Sequence, residues 1–443
     1  MRLTNLRLTN LRKFLWGVWV IAACGLQPTP ARAQLDFEKP PIDYGSAETN
    51  DPVAQLAQEL EAGHRRLEYS EPHGWLPSLL AELKISRETQ TLVFSKTSLQ
   101  LHKISPRTPR ALYFNDDVYI GWCQNGDVLE IAATDPQQGA VFYTLDQDPS
   151  LPAKIVRDRG QCLTCHATNR TQGVPGYLVR SVYPDNNGRP RSGTRTYVTD
   201  HTTDFEQRFG GWYVSGLHGS MRHMGNAFTH DRNDPEYMDR DLGANRRRLE
   251  ELFDTSPYLT PHSDIVALMI LEHQSQMHNL IARANFETRI AGYYDQGINA
   301  ALERPADTVS PSTGRRIAAA GEALVRYLLF ADEVPLQSSV ESLTGFAKDF
   351  QCVDHPQWRA DSQGRSLRAL DLQTRLFQYP CSYLIYSAAF DGLPEPMLEY
   401  VRGRLQEILY GAKIPEGYER LSETDRIAIR EILAETKPGF LSN

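Results

Sequence analysis

"RALYFNDDVYIGWCQNGDVLEIAATDPQQGAVFYTLD" (Arg110–Asp146) is the stretch on which the fold turns. Short β-branched and aromatic runs are interrupted at Asn115-Asp116, Gly126-Asp127 and Pro136-Gln137-Gln138-Gly139. Runs of that kind, cut by turn-forming residues, read as consecutive β-hairpins. "TLVFSKTSLQ", from Thr91, adds a strand before them. Further upstream, "DPVAQLAQELEAGHRRLEY" and "LPSLLAELKI" carry apolar residues at helical spacing and predict two short amphipathic helices. Downstream, "YLVRSVYPDNNGRPRSGTRTYVTD" predicts another hairpin on its Asn-Asn-Gly turn, followed by the Gly-rich loop "FGGWYVSGLHGSMRHMGN".

Beyond about residue 235 the period changes from two to that of a helix. "HSDIVALMILEHQSQMHNLIARANFETRI" places Val266, Ile270, His273, Met277, Leu280 and Ala284 on one face, with Ser263 as the expected N-cap. "GRRIAAAGEALVRYLLFAD", "EPMLEYVRGRLQEILYG" and "ETDRIAIREILAETK" predict three more helices, and "ERPADTVSPSTG" a linker. The expected fold class is α+β, with a β-rich N-terminal half and a helical C-terminal half. At 41% hydrophobic and 23% charged residues, the chain has the composition of a folded protein with an ample core.

Residues 1–33 read as a secretory signal peptide: basic residues precede an apolar core from Phe14 to about Leu26, and Ala31-Arg32-Ala33 precedes Gln34. Ile21-Ala22-Ala23-Cys24 also resembles a lipobox, which would make Cys24 a lipidated first residue. No later apolar run approaches the ~20 residues of a membrane span, so no transmembrane segment is expected in the mature chain. The expected location is periplasmic or secreted. Loss of Arg2, Arg7, Arg12, Lys13 and Arg32 takes the 47 basic residues to 42 against 55 acidic ones, a balance of −13. Nucleic acid is thereby disfavoured, and a protein partner with a basic face is favoured.

Five cysteines then remain, and two of them stand in "RGQCLTCHATNRTQGVPGY" (159–177), where Cys162-Leu163-Thr164-Cys165 is followed directly by His166. In an oxidising compartment a Cys-x-x-Cys pair is a redox disulfide, half of a zinc site or, with His after it, a covalent haem attachment. A zinc site wants a second Cys/His pair at matching spacing, and the sequence has none. Haem attachment fits the residues best: two thiols for thioether links to the haem vinyl groups and one imidazole for the iron. Of the other three, Cys352 and Cys381 are 29 apart and form a candidate disulfide with Cys123 left reduced; three buried thiols are the alternative.

On this motif the sequence resembles the c-type cytochromes, and as a whole it resembles large exported cytochrome c domain-containing proteins of environmental bacteria. The resemblance implies one covalently attached haem c and single-electron transfer. In small members a Gly-Pro turn after the motif orients the proximal histidine; "QGVPGYL" stands in that place, which makes Pro175 the candidate orienting residue for His166. Exported dihaem peroxidases carry two such motifs and this chain one. The expected division is a signal peptide (1–33), an N-terminal helical segment (34–90), a β-rich haem-binding region (91–232) and a helical region (233–443).

The sixth iron ligand separates a carrier from an enzyme. His223 and His218 rank first, ahead of Met221 and Met224 in the same loop; His201 and His230 are weaker. His273 and Met277 compete from the helical stripe, although a histidine on such a stripe, and His278 beside it, reads first as a hydrogen-bonded core residue. Arg180, Arg222 and Arg195 are candidates for the haem propionates, and Trp212 and Tyr213 for packing on the porphyrin. In a peroxidase-like alternative, His223 is the distal acid/base and Arg222 stabilises developing charge. A haem-bearing binding or sensing module is the third class.

Overall fold

A computed structural model describes residues 36–231, 233–353 and 358–441; residues 1–33, expected to be a signal peptide, and Cys24 among them lie outside these. The hairpins form as the turn residues predict. Strands β1 (Thr91–Val93), β2 (Arg110–Phe114), β3 (Val118–Trp122), β4 (Val128–Asp135), β5 (Gly139–Asp146) and β6 (Ile155–Arg157) pair in sequence order, every pair antiparallel. β7 (Arg180–Val182) and β8 (Thr196–Val198) make the separate hairpin, and β9 (Trp212–Tyr213) closes the large sheet against β1, giving the order β6-β5-β4-β3-β2-β1-β9.

The period of two sorts the sheet's side chains. Ala111, Tyr113, Ile120, Trp122, Leu129, Ile131, Val141 and Tyr143 all point to one face and are buried there under helices α1 (Pro52–Glu61) and α2 (Leu76–Glu82). The opposite face carries Arg110, Leu112, Glu130 and Ala132, all half-buried, beside Phe142, and this face turns toward the Cys-x-x-Cys-His segment. That segment is the single turn α3 (Leu163–His166). After the short α4 (Arg240–Gly243) the helical half follows: α5 (Ile265–Ala301), α6 (Pro311–Leu328), α7 (Phe346–Phe350), α8 (Ala388–Asp391), α9 (Glu395–Tyr410) and α10 (Glu423–Thr436). The fold is α+β, and one hydrophobic cluster runs from Phe114, Tyr119 and Phe142 of the sheet through α5 to α10. Among the described residues no helix is long and apolar enough to cross a membrane.

Helix α5 is the spine of the molecule, and its start differs from expectation. Asp264, not Ser263, is the N-cap: Oδ1 accepts from the N–H groups of Val266 and Ala267, and Oδ2 from the Ser342 and Thr344 hydroxyls. The Ser263 hydroxyl is taken elsewhere, donating to the Tyr213 carbonyl and accepting from the Leu92 N–H. One apolar stripe also understates the helix, because Glu272, His273, Gln274, His278 and Asn279 are buried as well. Buried polar groups need partners. Gln274 accepts from Tyr383 Oη at 2.6 Å and its amide donates to the Asn115 carbonyl; His278 Nε2 meets the Asp116 carbonyl at 2.8 Å.

The bridge between Cys352 and Cys381 is not formed. Cys381 lies in the core and Cys352 is half-buried after α7, and Cys123, Cys352 and Cys381 are all free thiols. Thiol titration of the denatured, unreduced mature protein is therefore expected to find three reactive cysteines besides Cys162 and Cys165; finding one would restore the bridge.

Candidate functional site

The Cys-x-x-Cys-His segment is built locally first. At the end of β6, Asp158 Oδ2 accepts from the N–H groups of Gly160 and Cys162 at 3.0 and 2.9 Å, which fixes the entry to α3. The N–H groups of Cys165 and His166 then bond the Cys162 carbonyl, closing one turn. Residues three apart on a turn share a side, so both thiols project together, and buried Leu163 anchors the turn from the other side. Cys165 is exposed and Cys162 half-buried. Burial, and next the carboxylate of Asp158, push the Cys162 thiol up to about 12, so it is a neutral thiol at pH 7.

His166 is oriented by a backbone carbonyl, and the carbonyl is that of Gly176 rather than Pro175. Nδ1 donates to it at 2.9 Å, while the Gly176 N–H returns a 2.8 Å bond to the His166 carbonyl. Pro175 points its own carbonyl away, to the Ala140 N–H of β5. A proton on Nδ1 leaves the lone pair on Nε2, the tautomer a metal ligand requires. The ring packs on Phe142 at 4.9 Å, and desolvation lowers its pKa, so it stays neutral.

Behind this contact stands a residue with no local signal in the sequence. The Asn279 side chain on α5 bonds both backbone groups of Tyr177, accepting from its N–H at 2.7 Å and donating to its carbonyl at 2.9 Å. A Cβ on Gly176 would lie 2.3 Å from Asn279 Oδ1, so only glycine fits there. Asn279→Ala is expected to cost about 2 kcal/mol, because it strands two buried backbone groups at once. Urea denaturation checks this; a loss below about 0.5 kcal/mol would contradict it.

Arg180 is the predicted propionate partner that comes to the motif. It starts β7, interacts electrostatically with Cys165 and Arg170, and its half-buried guanidinium has Nε without a hydrogen-bond partner. Trp212 supports it from below by donating Nε1 to the Arg180 carbonyl at 2.8 Å. Tyr213 instead points into the core beneath the sheet, stacked on Phe253. Arg195 is exposed and paired with Glu236. Sequence reasoning also passed over Arg110, which acts on both Cys162 and His166; it is paired with Glu130 at 2.6 Å and likewise leaves a buried Nε unpartnered.

The Gly-rich loop has its Gly216 end anchored away from the motif. Gly216 packs on Ile265 at the first turn of α5, whereas Gly176 packs on Asn279. Fourteen residues of helix separate those two anchors by about 21 Å. His218 is fully engaged where it lies: Nδ1 meets the Met221 carbonyl at 2.8 Å and Nε2 accepts from the Asn245 N–H at 2.9 Å. His223 Nδ1 accepts from the Gly225 N–H at 3.0 Å, which puts the ring proton on Nε2, the wrong tautomer for an Nε2 metal ligand. Its ring is enclosed by Phe205, Phe209 and His218. Arg222 pairs with Asp241. Met221 and Met224 sulfurs face Gln337 and Ser181, and His230 is exposed. His273, read as a core residue, bonds through both nitrogens, to His201 and Ser382.

Among the described residues no three His, Cys, Asp or Glu side chains converge as a metal-binding group, Cys162, Cys165 and His166 included. The site therefore consists of two thiols on one side of a turn, one imidazole with a preset lone pair, and a nearby arginine with an open donor. Comparison of the chain with protein-family models, with curated proteins and with solved structures finds no match.

Proposed function

We propose that this chain is an exported monohaem c-type cytochrome that transfers single electrons, with one haem c held through Cys162 and Cys165 and ligated by His166. The observation that carries the reading is the bond from His166 Nδ1 to the Gly176 carbonyl, which leaves Nε2 as the donor. The donor set fits the group. Cys162 and Cys165 would hold it, each thiol giving its sulfur to one vinyl carbon and its hydrogen to the other, an addition that needs no oxidant and has no leaving group. When bound, the haem would supply reversible one-electron chemistry, with a potential set by its ligands and burial. The protein's part is to hold the ligand ring in orientation through Gly176, to screen it from water with Phe142, and to offer Arg180's unpartnered donor to a haem carboxylate. The acidic balance of the mature chain supports a redox partner with a basic face.

The test is the visible spectrum of protein exported from a host with cytochrome c maturation, ferric and ferrous, with and without imidazole or peroxide. Haem bands that survive denaturation on the polypeptide, and no rapid reaction with peroxide, are expected; rapid peroxide turnover would replace the carrier with a peroxidase. Because His223 is bonded within its own loop, His223→Ala is expected to leave the spin state unchanged. A low-spin spectrum that turns high-spin in that variant would assign His223 to the iron.

A further inference from the structure

A cavity of about 260 Å³ lies where the β2–β3 turn meets the Tyr383–Tyr386 turn and the start of α8. The sheet contributes Asp116 and Asp117, and the helical half contributes Tyr383, Leu384, Ala388 and Asp391. Two of the three carboxylates are already spent. Asp116 accepts from Arg368 Nη1 on both oxygens, at 3.1 and 2.8 Å, and Asp391 pairs with Lys437. Asp117 differs. Its N–H donates to Asn115 Oδ1 and its carbonyl accepts from the Thr134 N–H, but among the described residues its carboxylate has neither a hydrogen bond nor an ion pair.

That carboxylate is open to the cavity. The side chain is half-buried and lines it, and both oxygens keep accessible surface, in contrast to closed-off atoms such as Glu272 Oε1. Its charge acts on Tyr383, which lines the cavity from the other side. Three carboxylates against two paired cations leave one negative charge without a counterion. We propose that the cavity binds a small organic ammonium ion carrying a short apolar chain, with the ammonium group paired to Asp117.

The chemistry of the site limits the ligand from three sides. The uncompensated charge repels an anion and leaves a neutral molecule without an ionic partner. A bare metal ion wants several converging donors, and among the described residues no three His, Cys, Asp or Glu side chains supply them. Leu384, Ala388 and the Tyr386 ring favour carbon, and since an apolar cavity of about 150 Å³ accepts benzene, this one has room for an ammonium on a chain of about four carbons. Burial, and next the Asp116 carboxylate, push the Asp117 carboxyl up to about 7, a cost that a bound cation removes. Around it stand Asp116 and Tyr119 of the sheet, His278 of α5, Tyr383, Tyr386, Arg368, and Asp391 with Lys437. Burial raises the three phenols and lowers His278 to about 4, so Asp117 is the group that burial brings near neutral pH. The site shares no residue with the Cys-x-x-Cys-His segment.

Titration calorimetry of the full mature protein with butylammonium chloride tests this, with 1-butanol as the neutral chain and butyrate as the anion. Saturable binding of one butylammonium per chain is expected at pH 8, at least tenfold tighter than butanol or butyrate. At pH 6 most of the Asp117 carboxyl is protonated, and binding should be roughly tenfold weaker. Asp117→Asn keeps the shape, should weaken butylammonium at least tenfold at pH 8, and should remove the difference between the two pH values. Ala388→Trp, on the exposed wall, should fill the cavity and abolish binding; it decides the matter if Asp117→Asn does not fold. Absence of butylammonium binding to the wild type, equal binding of the three probes, an affinity that does not change with pH, or an affinity unchanged in either folded variant would overturn the proposal.

Discussion

The Cys162→Ser/Cys165→Ser double variant is expected to carry no haem on its polypeptide, so that a denaturing gel stained for haem shows a band for the wild type and none for the variant. Serine has no sulfur to add across a vinyl group, and the chain has no other thiol on that turn. The fold should survive. Cys165 is exposed, Cys162 is half-buried, and the turn is held by backbone bonds to Asp158 and the Cys162 carbonyl, none of which involves sulfur. Each single variant retains one thiol and should still stain. A double variant that stains at wild-type intensity sinks the attachment reading, and an unstained wild type from a host with cytochrome c maturation sinks it sooner.

The second large effect is a pH dependence of stability centred on Glu272. This residue is fully buried on α5; among the described residues its Oε1 has no hydrogen-bond partner, and its one ion pair, with Arg208, is long at 3.5 Å. Burial outweighs the arginine and pushes the carboxyl up from 4.5 to about 7. Below pH 4.5 the group is neutral in both native and unfolded chains and makes no difference. Above 4.5 it ionises in the unfolded chain before it does in the native one, so its contribution to stability falls as pH rises and levels off above about 7. At 1.36 kcal/mol for each pH step, the loss amounts to about 3 kcal/mol. Glu272→Gln cannot titrate. Its stability relative to the wild type, from urea denaturation, should therefore rise by about 3 kcal/mol between pH 4.5 and pH 8. Comparing the two proteins cancels the opposite trend of the buried histidines, whose pKa values are lowered. A stability difference that stays constant across that range would show that Glu272 ionises normally.

The chain wrote some of this structure into short windows. The hairpins from β2 to β5, the β7–β8 hairpin and the helices α6, α9 and α10 all lie where alternation, turn residues or helical spacing place them, because each signal is complete within ten or fifteen residues. The Cys-x-x-Cys-His segment is equally local: spacing alone sets two thiols on one side of a turn with an imidazole next to them. The capping of α5 was legible only in kind. Ser263 and Asp264 are both good caps, and the choice fell to Asp264 because a strand edge, through Tyr213 and Leu92, had already claimed the serine hydroxyl.

Residue type and spacing by themselves determined the α+β class, the order of strands and helices, and the donor atoms of the motif. Tertiary structure decided where imidazoles and carbonyls point. His218 and His223 are candidate ligands by residue type and spacing; the structure anchors Gly216 of their loop at the first turn of α5 and engages both His218 nitrogens and His223 Nδ1 with the loop's own backbone and Asn245. The Gly176 carbonyl reaches His166, in place of Pro175's, because Asn279, 102 residues away from Tyr177, holds that strand of backbone in register. An imidazole or a carbonyl takes whatever partner packing brings within about 3 Å, and such distances are set by elements far apart in the chain.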